Sequence, residues 1–91
     1  MKKAIRLHIT GSMQGIFFKE FIKKNAESFN LAGFMRFLES GKIEIFLEGE
    51  SKNVDAMATV CSKGPKYASI RNVEIKEERL QDFKEFKVLN F

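Results

Sequence analysis

The hydrophobic residues of this chain change their spacing several times, from every second position to every third or fourth, and each change predicts a new element. From Ile5 to Ile9 apolar and polar residues alternate strictly, which is typical of a strand with one buried face. The runs 34–39 and 43–50 are also compatible with strands and are joined by a short polar connection, which predicts a β-hairpin. His8 falls on the polar face of the first strand, so we expect a surface residue without a catalytic role.

Two segments carry apolar residues at helical spacing. In the first, the apolar residues between Phe18 and Phe29 follow steps of 3, 1, 4 and 3, and we expect a helix that begins near Phe17. In the second, Asn53 is a candidate N-cap, and the helix is expected to stop at Gly64. Both helices have a single apolar stripe, so each should pack on one side only.

The remaining segment predicts two further strands. Alternation from Ile70 to Ile75 indicates a strand with a slip of one residue near Arg71, the charged run 76–82 is expected to form a solvated turn, and a last strand follows over 86–91. The resulting order is strand, helix, strand, strand, helix, strand, strand. This order predicts an α+β fold, a ferredoxin-like α/β sandwich of split βαβ topology, with two helices on one face of an antiparallel sheet and the other face open to solvent.

The connection between the first strand and the first helix, GSMQGIFFKE over residues 11–20, has the features of an anion-binding loop. Gly11 and Gly15 lift the restriction that a Cβ places on φ, so that backbone N–H groups can turn toward one point. The start of the helix aims its positive dipole end at the same point, and Lys19 follows in the first turn. Phosphate is the anion that this combination favours. The alternative is a strand-to-helix turn that only needs flexible residues.

Composition and charge narrow the classes of function. The chain has 91 residues, enough for one domain with a two-layer core, and a net charge of +4. Six basic residues and a single acidic one fall within the first 24 positions, so we expect a basic surface around the loop; a solvated basic face is the alternative. No segment has the length of a membrane span, and the N-terminus lacks the apolar core of a signal peptide. We therefore expect a cytoplasmic protein that keeps its first residues and does not contact a membrane.

The only cysteine in the sequence, Cys61, cannot form an intrachain disulfide, and the sequence offers no Cys/His cluster for a metal. Because Cys61 lies on the apolar stripe of the second helix, we expect a buried small hydrophobe rather than a reactive thiol. We expect neither a metal nor a cofactor.

Three segments resemble the acylphosphatase family. GSMQGIFFKEF is similar to the family pattern Gly-x-Val-Gln-Gly-Val-x-Phe-Arg, NLAGFMRFLESGKIEIFLEG to its Gly-Leu-x-Gly-Trp-Val-x-Asn…Gly-x-Val…Gly block, and KGPKYASIRNVEI to its Gly-Pro…Val…Val stretch. The blocks stand in the family's order and at its spacing. Residues 1–91 are therefore identified as one acylphosphatase-like domain.

The resemblance implies a function and a set of site residues. Enzymes of the family hydrolyse the carboxyl–phosphate anhydride of small acyl phosphates without metal or cofactor. Their loop N–H groups and an arginine hold the phosphate, while an asparagine on the second strand positions the attacking water. Carried over to this sequence, the phosphate-binding residues are Met13, Gln14, Gly15, Ile16, Phe17, Phe18 and Lys19. Lys19 stands at the arginine position and Phe37 at the asparagine position.

Both side-chain positions thus depart from the family. Lysine keeps the positive charge but cannot present the flat, two-pronged donor of a guanidinium, and phenylalanine has no hydrogen-bonding group with which to orient water. No neighbour is an obvious substitute, since Arg36 should point to the opposite side of the strand and Glu39 would repel phosphate.

Two classes of function stay open. One is an acyl phosphate hydrolase weakened in its side chains. The other is a non-catalytic relative that binds phosphate-containing ligands or a partner protein through the loop. The expected ligand is a small acyl phosphate or inorganic phosphate. We expect a monomer that does not bind nucleic acid, because the basic bias is modest and no aromatic-rich RNA-binding signature is present.

Overall fold

The structure is a computed structural model that describes residues 1–12, 15–66 and 68–89. Its elements are β1 (Lys2–Ser12), α1 (Gly15–Ser28), β2 (Ala32–Phe37), β3 (Lys42–Glu50), α2 (Ser51–Lys63), β4 (Ser69–Glu78) and β5 (Phe86–Leu89). A 3-10 turn, Glu39–Gly41, links β2 to β3 in the predicted hairpin. Neither α1 nor α2 is long and apolar enough to cross a membrane.

The five strands form one sheet in the order β4-β1-β3-β2-β5. The pairs β1–β3, β1–β4 and β2–β3 are antiparallel, whereas β5 pairs with β2 in parallel. The sheet is therefore mixed, and the prediction of an antiparallel sheet holds for four strands only. The reason is the path of the chain, which leaves β4 at one edge, reverses direction and reaches the opposite edge beside β2.

Both helices pack on one face of this sheet and close a single core cluster, as the apolar stripes predict. Phe18 and Ile22 of α1 and Val54 and Met57 of α2 are fully buried against the inward residues of the strands. Burial of a side chain of this size stabilises the fold by about 1.5 to 3 kcal/mol. Cys61 belongs to the same cluster, and desolvation raises the pKa of its thiol to about 12, so the prediction of a buried small hydrophobe is confirmed.

The other face of the sheet is partly covered, which corrects the expectation of a face open to solvent. Segment 79–85 joins the two edges of the sheet and carries Phe83, whose ring centroid lies 5.7 Å from that of Phe34 and 5.6 Å from that of Phe46. The Glu48 carboxylate accepts hydrogen bonds from the backbone N–H groups of residues 81, 82 and 83, at 2.9, 3.2 and 2.8 Å. Because these bonds hold the segment on the sheet, Phe46 is fully buried there.

Several element boundaries differ from the sequence prediction. α1 begins at Gly15 rather than near Phe17. α2 begins at Ser51 directly after β3, so Asn53 lies inside the first turn and is not the N-cap.

The charged run 76–82 is not wholly a turn, because β4 continues through Glu78, where β1 still supplies a backbone partner at Ala4. The predicted slip near Arg71 is confirmed, since the pairing with β1 jumps from Asn72 to Ile70. Phe91, predicted in the last strand, lies outside the described residues.

Candidate functional site

The start of α1 is the structural basis of the predicted anion site. Gly15 is the first residue of the helix, and the N–H groups at the start of a helix lack the carbonyl acceptors that a preceding turn would supply. The first turn carries no acidic side chain that would offset the positive end of the helix dipole. Met13 and Gln14, the first two predicted phosphate-binding residues, lie outside the described residues.

The structure brings the two substituted positions together beside this helix start. The Nζ atom of Lys19 lies 5.5 Å from the centroid of the Phe37 ring. A Cβ added to Gly15 would lie 3.6 Å from the Cζ atom of the same ring. Because Gly15 and Lys19 are four residues apart in α1, they share one face of the helix, and the end of β2 places Phe37 against that face.

The steric need for glycine in the loop lies at Gly11 rather than at Gly15. A Cβ on Gly11 would come within 2.3 Å of the carbonyl oxygen of Ser69, because β1 and β4 approach closely at the bulge. Among the described residues, a Cβ on Gly15 would meet only the Phe37 ring, at ordinary van der Waals distance. Because Gly15 lies in α1, its backbone does not need the freedom in φ that the sequence suggested for it.

The predicted basic surface around the loop is also smaller than the sequence suggests. Lys3 lies near the far end of β1, about 30 Å from the loop, since a strand rises roughly 3.3 Å per residue. Its Nζ atom donates a hydrogen bond to Asp55 Oδ1 at 2.8 Å. Arg6 forms ion pairs with Glu44 and Glu78. The basic residues near the site are therefore those of α1, above all Lys19.

An apolar rim, formed by the exposed side chains of Ile16 and Phe17, lies at the helix start. Ile16 is 67% exposed and Phe17 48% exposed, whereas Phe18 is fully buried and anchors the first turn to the core. Sequence could have found this rim, because two large apolar residues precede the helical stripe that begins at Phe18.

A buried carboxylate holds the strands together on the face opposite the helices. Glu44 is 5% exposed and accepts hydrogen bonds from Arg6 Nη1 at 2.9 Å and from Arg36 Nε. The Nε2 atom of His8 lies 3.2 Å from Glu44 Oε2, so His8 has a partner that its place in the sequence did not reveal. Burial alone would raise the pKa of Glu44, but the two arginines outweigh it and hold that pKa below its ordinary value. Arg36 thus points away from Phe37, as predicted.

The fold is a small α+β sandwich in which α1 follows the first strand and places Gly15 and Lys19 beside Phe37. The family model for acylphosphatase matches residues 5–88. The chain belongs to the acylphosphatase family, as its sequence blocks suggested.

Individual relatives cover most of the chain. An acylphosphatase of Rubrobacter xylanophilus is 36% identical over 76 residues, which cover 84% of this chain and 69% of the relative. An acylphosphatase of Syntrophus aciditrophicus is 32% identical over 90 residues, which cover 98% of this chain and 94% of the relative. The solved structure of an acylphosphatase from Coxiella burnetii is similar with a TM-score of 0.89 and 30% identity, over 97% of this chain and 93% of that one. The predicted ferredoxin-like α+β fold is confirmed.

Proposed function

We propose that this protein hydrolyses small acyl phosphates at the site formed by the β1–α1 loop, Lys19 and Phe37, with low turnover. The observation that carries the proposal is the convergence of Gly15, Lys19 and Phe37 at the start of α1 in a chain of the acylphosphatase family. The proposed phosphate-binding residues are those named from the resemblance, 13–19.

The reaction does not require a covalent bond between the protein and the substrate. Backbone N–H groups of the loop and of the first turn donate to the phosphate oxygens, and the Lys19 ammonium offsets their negative charge. A water oxygen attacks phosphorus, the bond from phosphorus to the bridging oxygen breaks, and the carboxylate leaves. The proton lost by the water passes to the phosphate or to solvent, so the products are a carboxylate and inorganic phosphate.

Low turnover follows from the two side chains. Lys19 provides a point charge in place of a planar two-pronged donor, so it fixes the orientation of the phosphate less well. Phe37 offers no donor or acceptor to the attacking water. Removal of one preorganised polar contact of this kind typically costs about 10²- to 10³-fold in rate.

The second candidate is a non-catalytic relative that binds phosphate-containing ligands, or a partner protein, at the same loop. The contact between the Lys19 ammonium and the Phe37 ring favours it, because the ring stands where the resemblance places a water-orienting amide. Such a site keeps the charge and the N–H donors that bind phosphate while it lacks the group that activates water.

Hydrolysis of acetyl phosphate by the purified protein, with inorganic phosphate as competitor, separates the two candidates. The hydrolase predicts slow turnover that inorganic phosphate inhibits and that Lys19→Met lowers further. Lys23→Met, which removes an exposed cation one turn farther along α1, is the matched control and should keep the wild-type rate. Backbone amide shifts at residues 15–19 on addition of phosphate, without any turnover, would favour the binder. Shifts confined to other segments would exclude both.

We also propose that the protein works as a cytoplasmic monomer without nucleic acid. All the proposed site residues come from one chain, and the sheet aromatics Phe34 and Phe46 pack under Phe83, so they are not presented for stacking with bases. Sedimentation at the chain mass of 10.5 kDa, with or without added RNA, is the expected result.

A further inference from the structure

We propose that segment 79–85 is a latch on the face of the sheet opposite the helices. The carboxylate of Glu48 holds the latch closed, and the latch opens as a unit while the rest of the protein stays folded. Opening uncovers the aromatic side chains of Phe34 and Phe46, which the closed segment shields from solvent. The inference uses none of the residues assigned to the phosphate site, so it is independent of the proposed function.

The Glu48 carboxylate binds the backbone of the latch with both of its oxygens. Oε1 accepts hydrogen bonds from the N–H groups of Gln81 and Asp82, at 2.9 and 3.2 Å, and Oε2 accepts one from the N–H group of Phe83 at 2.8 Å. Asp82 has a φ of 60°, in the left-handed region, and a chain that turns in this way can direct successive N–H groups toward one anion. The backbone of the latch is therefore shaped around a carboxylate.

Few other contacts hold the middle of the latch. All of its residues are exposed. Among the described residues, the hydrogen bonds made by residues 80–84 all go to Glu48, and the next bond along the chain joins the N–H group of Gly33 to the carbonyl oxygen of Glu85 at 3.1 Å. A cavity of about 300 Å³, lined in part by Leu80, lies between the latch and the end of the sheet. Segments with few buried contacts open locally at a lower cost in free energy than the core does.

The latch covers an apolar surface that the sheet would otherwise expose to water. The rings of Phe34 and Phe46 are stacked, with 5.8 Å between centroids and an interplanar angle of 7°, and the ring of Phe83 lies 5.7 and 5.6 Å from them. The guanidinium carbon of Arg6 lies 5.4 Å from the centroid of Phe46 on the same face. Because Phe83 is carried by the latch, opening exposes the ring of Phe46, which is fully buried in the closed state.

Hydrogen exchange of the wild-type protein tests whether the latch opens by itself. The amides of residues 81–83 should exchange faster than those of the central strand β3. Their exchange should also depend less on urea, since local opening exposes less surface than global unfolding. Equal free energies of exchange and equal urea dependence in the two segments would show that the latch opens only with the whole fold, and would overturn the inference.

Glu48→Ala tests the role of the carboxylate. Loss of even one charge-assisted hydrogen bond is enough for a tenfold change, so exchange at residues 81–83 should become more than about tenfold faster, while the amides of β1 keep their protection. The fluorescence of anilinonaphthalene sulfonate, a dye that binds exposed apolar surface, should rise. Glu50→Ala removes an exposed carboxylate from the same strand, and as the matched control it should change neither readout.

Acetate separates a specific role of the carboxylate from a general loss of packing. It supplies the atoms that Glu48→Ala removes, the Cγ and the carboxylate group, so it should slow exchange at residues 81–83 in that variant and lower the dye fluorescence again. Acetamide has the same shape without the charge and should not restore the closed latch. Sodium chloride at the same concentration controls for ionic strength.

Each of the other outcomes contradicts the inference. Unchanged exchange in Glu48→Ala would mean that another contact, such as that of Phe83, holds the segment. An equal loss of protection at residues 81–83 and in β1, or loss of the fold, would make Glu48 a support of the whole structure. Faster exchange without a rise in dye fluorescence would show that the sheet face stays covered. Rescue by acetamide as well as by acetate would mean that the charge of Glu48 is not what holds the latch.

Discussion

Restoring the two family side chains is the sharpest test of how this site works. Lys19→Arg introduces a planar donor that can bond two phosphate oxygens at once, and Phe37→Asn introduces an amide that can orient a water molecule. Since Lys19 and Phe37 are in contact at the start of α1, both new groups would face the same space. We therefore expect the double variant to hydrolyse acyl phosphates far faster than the natural protein.

The size of the gain follows from the kind of contact that is restored. Each preorganised polar contact at such a site is worth about 10²- to 10³-fold in rate, or roughly 3 to 4 kcal/mol. The two changes should exceed the product of the single changes, because water placement helps only when the phosphate is fixed. An expected gain of about 10⁴-fold or more lies far outside assay error.

The same change carries a cost in stability that the assay has to allow for. Phe37 packs partly buried against the core, and the smaller, polar asparagine loses that packing. We expect Phe37→Asn to lower the free energy of unfolding by about 2 to 3 kcal/mol, less than the 3 to 5 kcal/mol typical of a fully buried aromatic truncated to alanine. Urea denaturation of each variant shows whether it is folded at the assay temperature.

The assay is the hydrolysis of benzoyl phosphate, followed by its absorbance, with Lys19→Arg combined with Phe37→Leu as the control. That control has the guanidinium and a smaller apolar side chain but no amide, so it should gain only the arginine contribution. A folded double variant that is no faster than the wild type would refute the reasoning and favour the non-catalytic binder. Rapid hydrolysis by the natural protein would show instead that lysine and phenylalanine suffice.

The remaining predictions test the fold around the site. Glu44→Gln should lower the free energy of unfolding at pH 7 by about 2 to 3 kcal/mol, since it leaves two partly buried arginines without their carboxylate. The pKa of Glu44 is lowered in the fold, so its contribution is complete above the ordinary value of 4.5 and is lost as pH falls through the lower folded pKa. The free energies of unfolding of wild type and variant should therefore converge in acid, and a difference that stays the same at every pH would contradict this. Gly11→Ala should destabilise by more than about 2 kcal/mol through its clash with a β4 carbonyl, whereas Gly15→Ala should be neutral or slightly stabilising, and equal thermal shifts would argue against this assignment. Cys61 should resist a thiol reagent at pH 8 until guanidinium unfolds the protein, because its pKa is about 12; reaction of the native protein would disprove burial.

Most of the fold could be predicted from the sequence because local periodicity and global packing agree. The apolar residues at strand or helical spacing, such as Ile5, Phe18 and Met57, are also those that fill the core. Local signals of this kind cannot report which backbone partner a strand will find. The charged residues after Ile75 look like a turn, yet they continue β4 because β1 extends far enough to pair with them.

The face opposite the helices shows the same limit. Sequence places Glu44, Phe46 and Glu48 on that face by alternation, and alternation alone predicts that they meet water. The structure buries them because segment 79–85 crosses over Phe46, and because Arg6 and Arg36 come from two different strands to the same carboxylate. Arg36 and Glu44 are only eight residues apart and face each other across the predicted hairpin, but the other contacts join residues far apart in the chain and cannot be predicted from a local pattern.

The site was predictable in position but not in its interactions. The spacing of the family motifs locates the helix start, Lys19 and Phe37. The count of charges predicts a basic surface around the loop, but in the structure Lys3 and Arg6 pair with acidic side chains, so this surface is smaller. What sequence cannot show is that the two substituted side chains contact each other, since they are separated by a loop, a helix and a strand.

That contact changes how the two substitutions should be understood. A lysine side chain is long and flexible, and an aromatic ring beneath its ammonium restricts where the charge can go at a gain of about 0.5 to 1 kcal/mol. Phe37 therefore partly compensates for the guanidinium that Lys19 lacks, so the two residues form one unit rather than two separate losses. It follows that Phe37→Asn alone should weaken phosphate binding before it helps catalysis, whereas Lys19→Arg alone should not, because a guanidinium also stacks on the ring. Phosphate dissociation constants of the two single variants test this. If the two variants bind phosphate equally well, the Phe37 ring does not help to position the Lys19 ammonium.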